Sequence, residues 1–157
     1  MSVVVDTSGL RALAGRTQAA LLHLCEDAAN AGAAEAVAHA KSQPRFKNRT
    51  GRLMASMKAT PAVVNRNGAM ATARADAPYA AHVEWGTRPH PIVARRKPLL
   101  VFYWPKIGGL FVGKRVNHPG TTGRFYMSRG ARAAYYAMIR HAESGASRIA
   151  AIWKNAA

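Results

Sequence analysis

The sequence predicts an α+β fold: an antiparallel sheet of two hairpins, packed by a long N-terminal helix, short helices and a C-terminal helix. Three observations carry this. Apolar residues recur at three- and four-residue steps near both ends of the chain. Between them, β-rich runs are joined by turn residues, Asn67-Gly68 in one pair and "PKIGG" in the other. The order is two helices, a hairpin, a short helix, a hairpin and a helix, which places helices against an antiparallel sheet. The length, 157 residues, fits one domain over 1–157 with a core of its own.

Residues 8–41 read as the first helix, with Thr7 or Ser8 as its N-cap. Leu10, Leu13, Leu21, Leu24, Ala28, Ala31, Glu35 and Ala38 give it one mostly apolar stripe. Pro44 ends the pattern, because proline cannot continue a helix. "RTGRLMASMKA" (49–59) predicts a short second helix capped by Thr50, with Leu53 and Met57 on one face. "AVVNR" and "AMATARA" form a hairpin around Asn67-Gly68, the preferred two-residue turn. "PYAAHVEWG" is bracketed by Pro78 at the first helical position and Gly86 past the last, so it reads as one or two helical turns. "HPIVARRKP" reads as an exposed basic loop. "LLVFYW" and "LFVGKRVNH" make the second hairpin, and "GTTGRF" is loop. From about Met127 to Trp153 the pattern is helical, with Ala133, Met138, Ile139, Ile149 and Ile152 near one face.

Half the residues are hydrophobic, many of them alanine, so the core is expected to be built from small side chains. The lone cysteine, Cys25, excludes a disulfide within the chain and is expected as a buried, inert thiol beside the first helix's stripe. "MSVVVDTSG" does not resemble a secretory signal, and "PLLVFYW" is too short to span a bilayer, so a reducing cytoplasm and no membrane are expected. The charge is strongly asymmetric. Lys and Arg number 23 against seven acids, a net +16. Residues 1–40 carry −2, residues 41–76 carry +7, residues 77–130 carry +8 and the remainder +3. A positive block of this size calls for a polyanionic or acidic partner surface. Nucleic acid and an acidic protein both satisfy it.

Four constellations bear on chemistry. His82-x-Glu84 opens a zinc-deaminase signature, but the Pro-Cys-x-x-Cys that completes the metal site is missing. A site completed by His90 or His118 would need three or four converging ligands, which the spacing does not enforce. The reading is that His82 sits on a short helix and Glu84 accepts hydrogen bonds from the following turn. "GGLFVGKR" (108–115) nearly matches a phosphate-binding loop, but Arg115 replaces the Ser or Thr that holds magnesium and no helix follows. Ser144 with His141 and Glu143 is a trio only by composition; neighbours this close on a helix are a solvated face. "RPHPIVARRKP" gathers Arg88, Arg95, Arg96 and Lys97. Its prolines make it an extended arm suited to lying across a neighbour, or else it is a solvated loop. Lys114 and Arg115 add to this candidate partner or DNA interface. No catalytic residue, cofactor or metal is expected.

Several segments together resemble one family. They are "RTGRLMAS" (49–56), "APYAAHVEWGT" (77–87), "VFYW…GGLFVGKRV" and "NHPGTTGRFYM" (117–127) before a last helix. They are similar to the neck or tail-completion proteins of long-tailed bacteriophages, the gene-product-ten-like tail components related to the minor tail protein Z of phage lambda. The resemblance covers roughly residues 45–135; Arg124-Phe125 stands where the family usually has Pro-Phe. It implies a virion protein made in the host cytoplasm, acting by assembly as a subunit of a ring, expected to be hexameric. Its neighbours would be neck, tail-terminator or tail-tube proteins, with packaged DNA in the channel as a further contact. In such proteins Glu84, Gly86, Thr87, His118, Pro119 and Gly120 shape turns. Gly86 and Gly120 are expected at positive φ, and Glu84 and Thr87 are expected to satisfy backbone groups. The alternative reading is a basic nucleic-acid-binding module or a small nuclease. A nuclease needs clustered carboxylates, and only Asp76 and Glu84 lie in the central region.

Overall fold

The computed structural model describes residues 8–155. Thr7, one of the two expected caps, lies outside them, as does the side chain of Leu10. The α+β class is observed. The chain packs as two compact units. The first runs through Pro78 and resumes at Tyr126; the second is Tyr79–Phe125.

The first unit holds helix α1 (Ser8–Ser42), helix α2 (Arg52–Ser56), strands β1 (Met57–Asn65) and β2 (Gly68–Ala75), and helix α4 (Tyr126–Lys154). The second holds helix α3 (Ala80–Trp85) and six short strands: β3 (Gly86–Thr87), β4 (His90–Val93), β5 (Leu100–Trp104), β6 (Gly109–Gly113), β7 (Arg115–His118) and β8 (Thr121–Thr122).

Small residues set the packing of the first unit. On α1 the buried positions after Leu13 are Ala28, Ala29, Gly32, Ala33, Ala36, Val37 and Ala40. They form two adjacent ridges at four-residue spacing, one through 28, 32, 36 and 40 and one through 29, 33 and 37. This corrects the expected stripe: Ala31 and Glu35 lie at its margin and Ala38 is exposed, as is Leu21. The pattern turns because α1 meets a sheet and a second helix, so a wider face is covered than one stripe supplies.

Helix α4 approaches α1 through glycine. A Cβ on Gly130 would run into the carbonyl oxygen of Ala36, and one on Gly145 would run into Leu24. Gly32 faces Met138 in the same way, with a built Cβ 2.7 Å from the Met138 Cγ. Tyr126, at the start of α4, is buried and takes the ring of Phe46 edge-on at 5.3 Å between centroids.

Strands β1 and β2 pair antiparallel. The less exposed positions of β2 are Ala69, Ala71, Ala73 and Ala75, a period of two made wholly of alanine. The ladder is bulged between Thr60 and Val63, where Pro61 and Ala62 oppose Ala71. Proline has no N–H to give the ladder. The bulge turns the Ala62 N–H out of the sheet, and it donates to Asn30 Oδ1 on α1 at 2.8 Å.

Four expectations at element ends need correction. The hairpin turn is Arg66-Asn67, because Asn65 pairs with Gly68. Asn65 Oδ1 accepts the Asn67 N–H at 2.8 Å, a side-chain-supported turn, and Gly68 opens the strand at φ 140. Helix α2 is capped at Gly51 in the left-handed region, not at Thr50, and Asn48 Oδ1 accepts the Gly51 N–H at 2.9 Å. Met57 is buried but begins β1 instead of sharing a helix face with Leu53. Pro78 lies two residues before α3 rather than in its first turn.

Candidate functional site

The second unit is one long antiparallel ribbon. Its ladders nest concentrically: β3 on β8, β4 on β7, and β5 on β6 across the Pro105–Ile107 turn. The two stretches of shared Gly, Thr, His and Pro vocabulary therefore lie side by side. Gly86 opposes Thr122 and Thr87 opposes Thr121, their hydroxyl oxygens 3.1 Å apart. His90 opposes His118, ring centroids 5.1 Å apart.

The base of the ribbon is held by backbone crossing at glycines. Gly86 has φ 79 and Gly120 has φ 87. A Cβ on Gly86 would collide with the Thr121 carbonyl oxygen and sit 2.7 Å from the Gly123 nitrogen. One on Gly120 would collide with the Thr87 carbonyl oxygen. The His118 Nδ1 accepts the Gly120 N–H at 3.0 Å, which closes the turn around Pro119. Arg124 and Phe125 return along α3 and donate their N–H groups to the carbonyls of Val83 at 2.9 Å and Glu84 at 3.0 Å. Phe125 takes φ 51, unusual for a side chain of its size, with its ring edge-on to Trp85.

The Glu84 carbonyl receives the Phe125 N–H, and the residue is buried at 5% exposure. One assigned role is revised: the Thr87 hydroxyl meets that of Thr121 rather than a backbone group. His82 is exposed on the same short helix where Glu84 is buried, so the two residues of the His-x-Glu pattern face different surroundings. Among the described residues no three His, Cys, Asp or Glu side chains come together as a metal site. "GGLFVGKR" folds as β6 and the start of β7, and Ser144 Oγ donates to the His141 carbonyl within α4 at 2.9 Å. Cys25 is exposed, correcting the expected buried thiol.

The basic arm is also revised. Four of its residues are strand: His90–Val93 pairs with Arg115–His118. The Ala94 N–H bonds the Lys114 carbonyl at 3.0 Å, which fixes the ladder's parity. Pro91 then falls where the strand's N–H would point away from its partner, the one place a ribbon tolerates proline. Only Arg95–Leu99 leaves the ladder, as a run of bends. The break is uneven: residues 94–99 separate β4 from β5, while Lys114 alone separates β6 from β7. Arg95, Arg96 and Lys97 thus loop out where Lys114 and Arg115 cross, and all five are exposed. Arg88 lies apart, beside the Gly120 turn. The ribbon unit carries eight Lys and Arg against Glu84, a net +7.

Beyond the break, β5 and β6 expose apolar side chains on both faces. Phe102, Trp104 and Phe111 stack together on one, with centroids 5.2–6.2 Å apart. Val101 pairs with Val112 and Tyr103 with Leu110 on the other. Sequence reasoning found these strands but not that nothing in the unit covers them. The signal was present: strands buried on one face alternate polar with apolar, and "LLVFYW" does not. No helix among the described residues is long and apolar enough to cross a membrane. Comparison with protein-family models, with curated proteins and with solved structures finds no match for this chain.

Proposed function

We propose that this protein is a structural subunit of a long-tailed phage neck, completing the tail or joining it to the head as part of a ring, and that it works by assembly rather than catalysis. One observation supports the reading above the others: a ribbon whose far end is apolar on both faces and uncovered, carried on a base locked by glycine crossings. A monomer gains nothing from such a surface and loses solubility by it. A subunit that docks its ribbon on a neighbour buries it. The sequence resemblance supplies the setting, a virion, and the positive charge supplies the preference for acidic protein surfaces or DNA around the ribbon.

The test reverses Arg95, Arg96 and Lys97 to glutamate in the infecting phage. The isolated protein is expected to keep its fold, because exposed loop charges add little stability. The phage is expected to accumulate heads and tails that do not join, or tails with defective ends. Normal infectious particles from the triple reversal would show the arm to be a solvated loop.

A second reading, a nucleic-acid-binding module, is favoured by the five cations gathered at the ribbon's break. It predicts binding to free duplex DNA whose logarithm falls linearly with log salt, with a slope set by the phosphates neutralised. The triple reversal would then lower both the affinity and the slope.

A further inference from the structure

We propose that the β5–β6 tip of one copy docks into the alanine-floored groove of a second copy, so that the chain assembles head to tail. This rests on the ring-subunit reading and names the surfaces that reading leaves open.

The donor is the ribbon tip. Val101, Tyr103, Leu110 and Val112 are 58–68% exposed and lie on one face by register, and Ile107 in the turn is 57% exposed. At the 150–250 Å² that a large aromatic offers, and somewhat less for aliphatics, these side chains leave on the order of 500 Å² uncovered. That is toward the upper end of what a monomer shows as its largest patch. With the strand backbone it approaches the ~800 Å² per partner of a standard interface.

The acceptor is on the first unit. Helix α1, strand β2 and helix α4 enclose an open groove of about 450 Å³. Gly32, Ala33, Ala71 and Ala134 lie along it, with Met70 and Met138 beside them. Small residues leave the depth, and the methionines, with flexible unbranched side chains, adapt to what enters. None of the lining residues is charged.

That last point selects a second copy. Each chain carries +16, so two copies repel at long range, and burial of apolar surface at their contact has to offset that repulsion. A neutral groove accepts the tip without setting like charges against each other inside the interface. Donor and acceptor are different surfaces of the same chain, which gives a heterologous contact, the kind that makes a ring when its rotation closes. Salt should therefore strengthen this association by screening the overall repulsion. Docking on nucleic acid or on an acidic protein would be weakened by it.

The experiment uses the full chain in a Cys25→Ser background. One preparation carries Tyr103→Cys at the tip, another Met70→Cys at the groove, and the two are mixed under mild oxidation. The expected result is a disulfide-linked pair joining a tip-cysteine copy to a groove-cysteine copy. In the unmodified protein, sedimentation should show species heavier than a monomer whose share rises between 50 and 500 mM salt, on the order of a Debye length shortened by threefold. Leu110→Glu, which changes an exposed side chain and should leave the circular dichroism unaltered, is expected to weaken self-association at least tenfold. The proposal is overturned by a monomer at every salt concentration, by tip-to-tip links alone, by association that Leu110→Glu leaves intact, or by complexes that form only with added nucleic acid and dissolve in salt. If the chain proves dispensable for joining heads to tails while the cross-link forms, the neck reading falls and the docking stands. If heads and tails need the chain but the cross-link fails, the docking alone falls.

Discussion

Replacing Gly86 with alanine should open the base of the ribbon. Two costs combine. The backbone there has φ 79 and ψ −173, a region that essentially only glycine occupies, so a side chain costs about 1–3 kcal/mol in strain. The new Cβ also meets backbone rather than a movable side chain: the Thr121 carbonyl oxygen, the Gly123 nitrogen at 2.7 Å and the Thr122 carbonyl carbon at 3.0 Å. Relieving that overlap means shifting β8, a further ~1–3 kcal/mol by the usual cost of overpacking. The total, roughly 2–6 kcal/mol, exceeds what a two-residue ladder can hold. The assay is hydrogen exchange at the Arg124 and Phe125 amides, whose bonds to Val83 and Glu84 depend on this crossing. Protection there should fall by at least tenfold, while amides along α1 and α4 keep theirs. Gly51→Ala is the control: φ is 72 but nothing lies within 4 Å of the built Cβ, so only a left-handed penalty of about 1–2 kcal/mol applies. Equal effects of the two changes on stability, or unchanged exchange at 124 and 125 in Gly86→Ala, would refute the steric argument.

Gly130→Ala should destabilise by about 1–3 kcal/mol, reversing the usual helix preference for alanine, because the Ala36 backbone occupies the space; Gly15→Ala, with nothing within 4 Å, should instead stabilise by about 0.5–1 kcal/mol. Chemical denaturation of both variants checks the opposite signs. Cys25, being exposed, should react with a thiol reagent in the folded protein as fast as a model thiol within about tenfold, and protection lifted only by denaturant would contradict its placement. Purified protein should not hydrolyse DNA or nucleoside triphosphates; turnover abolished by changing His82, Glu84 or Lys114 singly would show a site that assembly does not explain.

The helices and the two hairpins were legible because each carries a local signal. Alanine and leucine periodicity marks α1, and the Asn-Gly neighbourhood marks the first hairpin even though the turn falls one residue earlier. What was not legible is non-local. The Gly-Thr at 86–87 and the Thr-Thr at 121–122 read as two separate turns, since nothing in either stretch names the other as partner. Their glycines are the trace of that pairing: backbones that cross this closely admit no Cβ. His90–Val93 read as loop because prolines and basic residues mask a strand whose only pairing is with residues 115–118. Cys25 was misplaced because a helix that packs over part of its length leaves other faces open. The candidate site shows the same division. Its cations were countable, but their gathering at one break depends on a register that composition does not encode.

The uneven break between the ladders has an evolutionary side. Neither β4–β7 nor β5–β6 draws a hydrogen-bond partner from residues 95–99, so neither register depends on how long that stretch is. Doubling its length would add only about 0.6 kcal/mol in closure entropy. Residues that change freely in number and charge, on a ribbon whose other positions are fixed by pairing, form a segment in which partner preference can drift while the scaffold stays put.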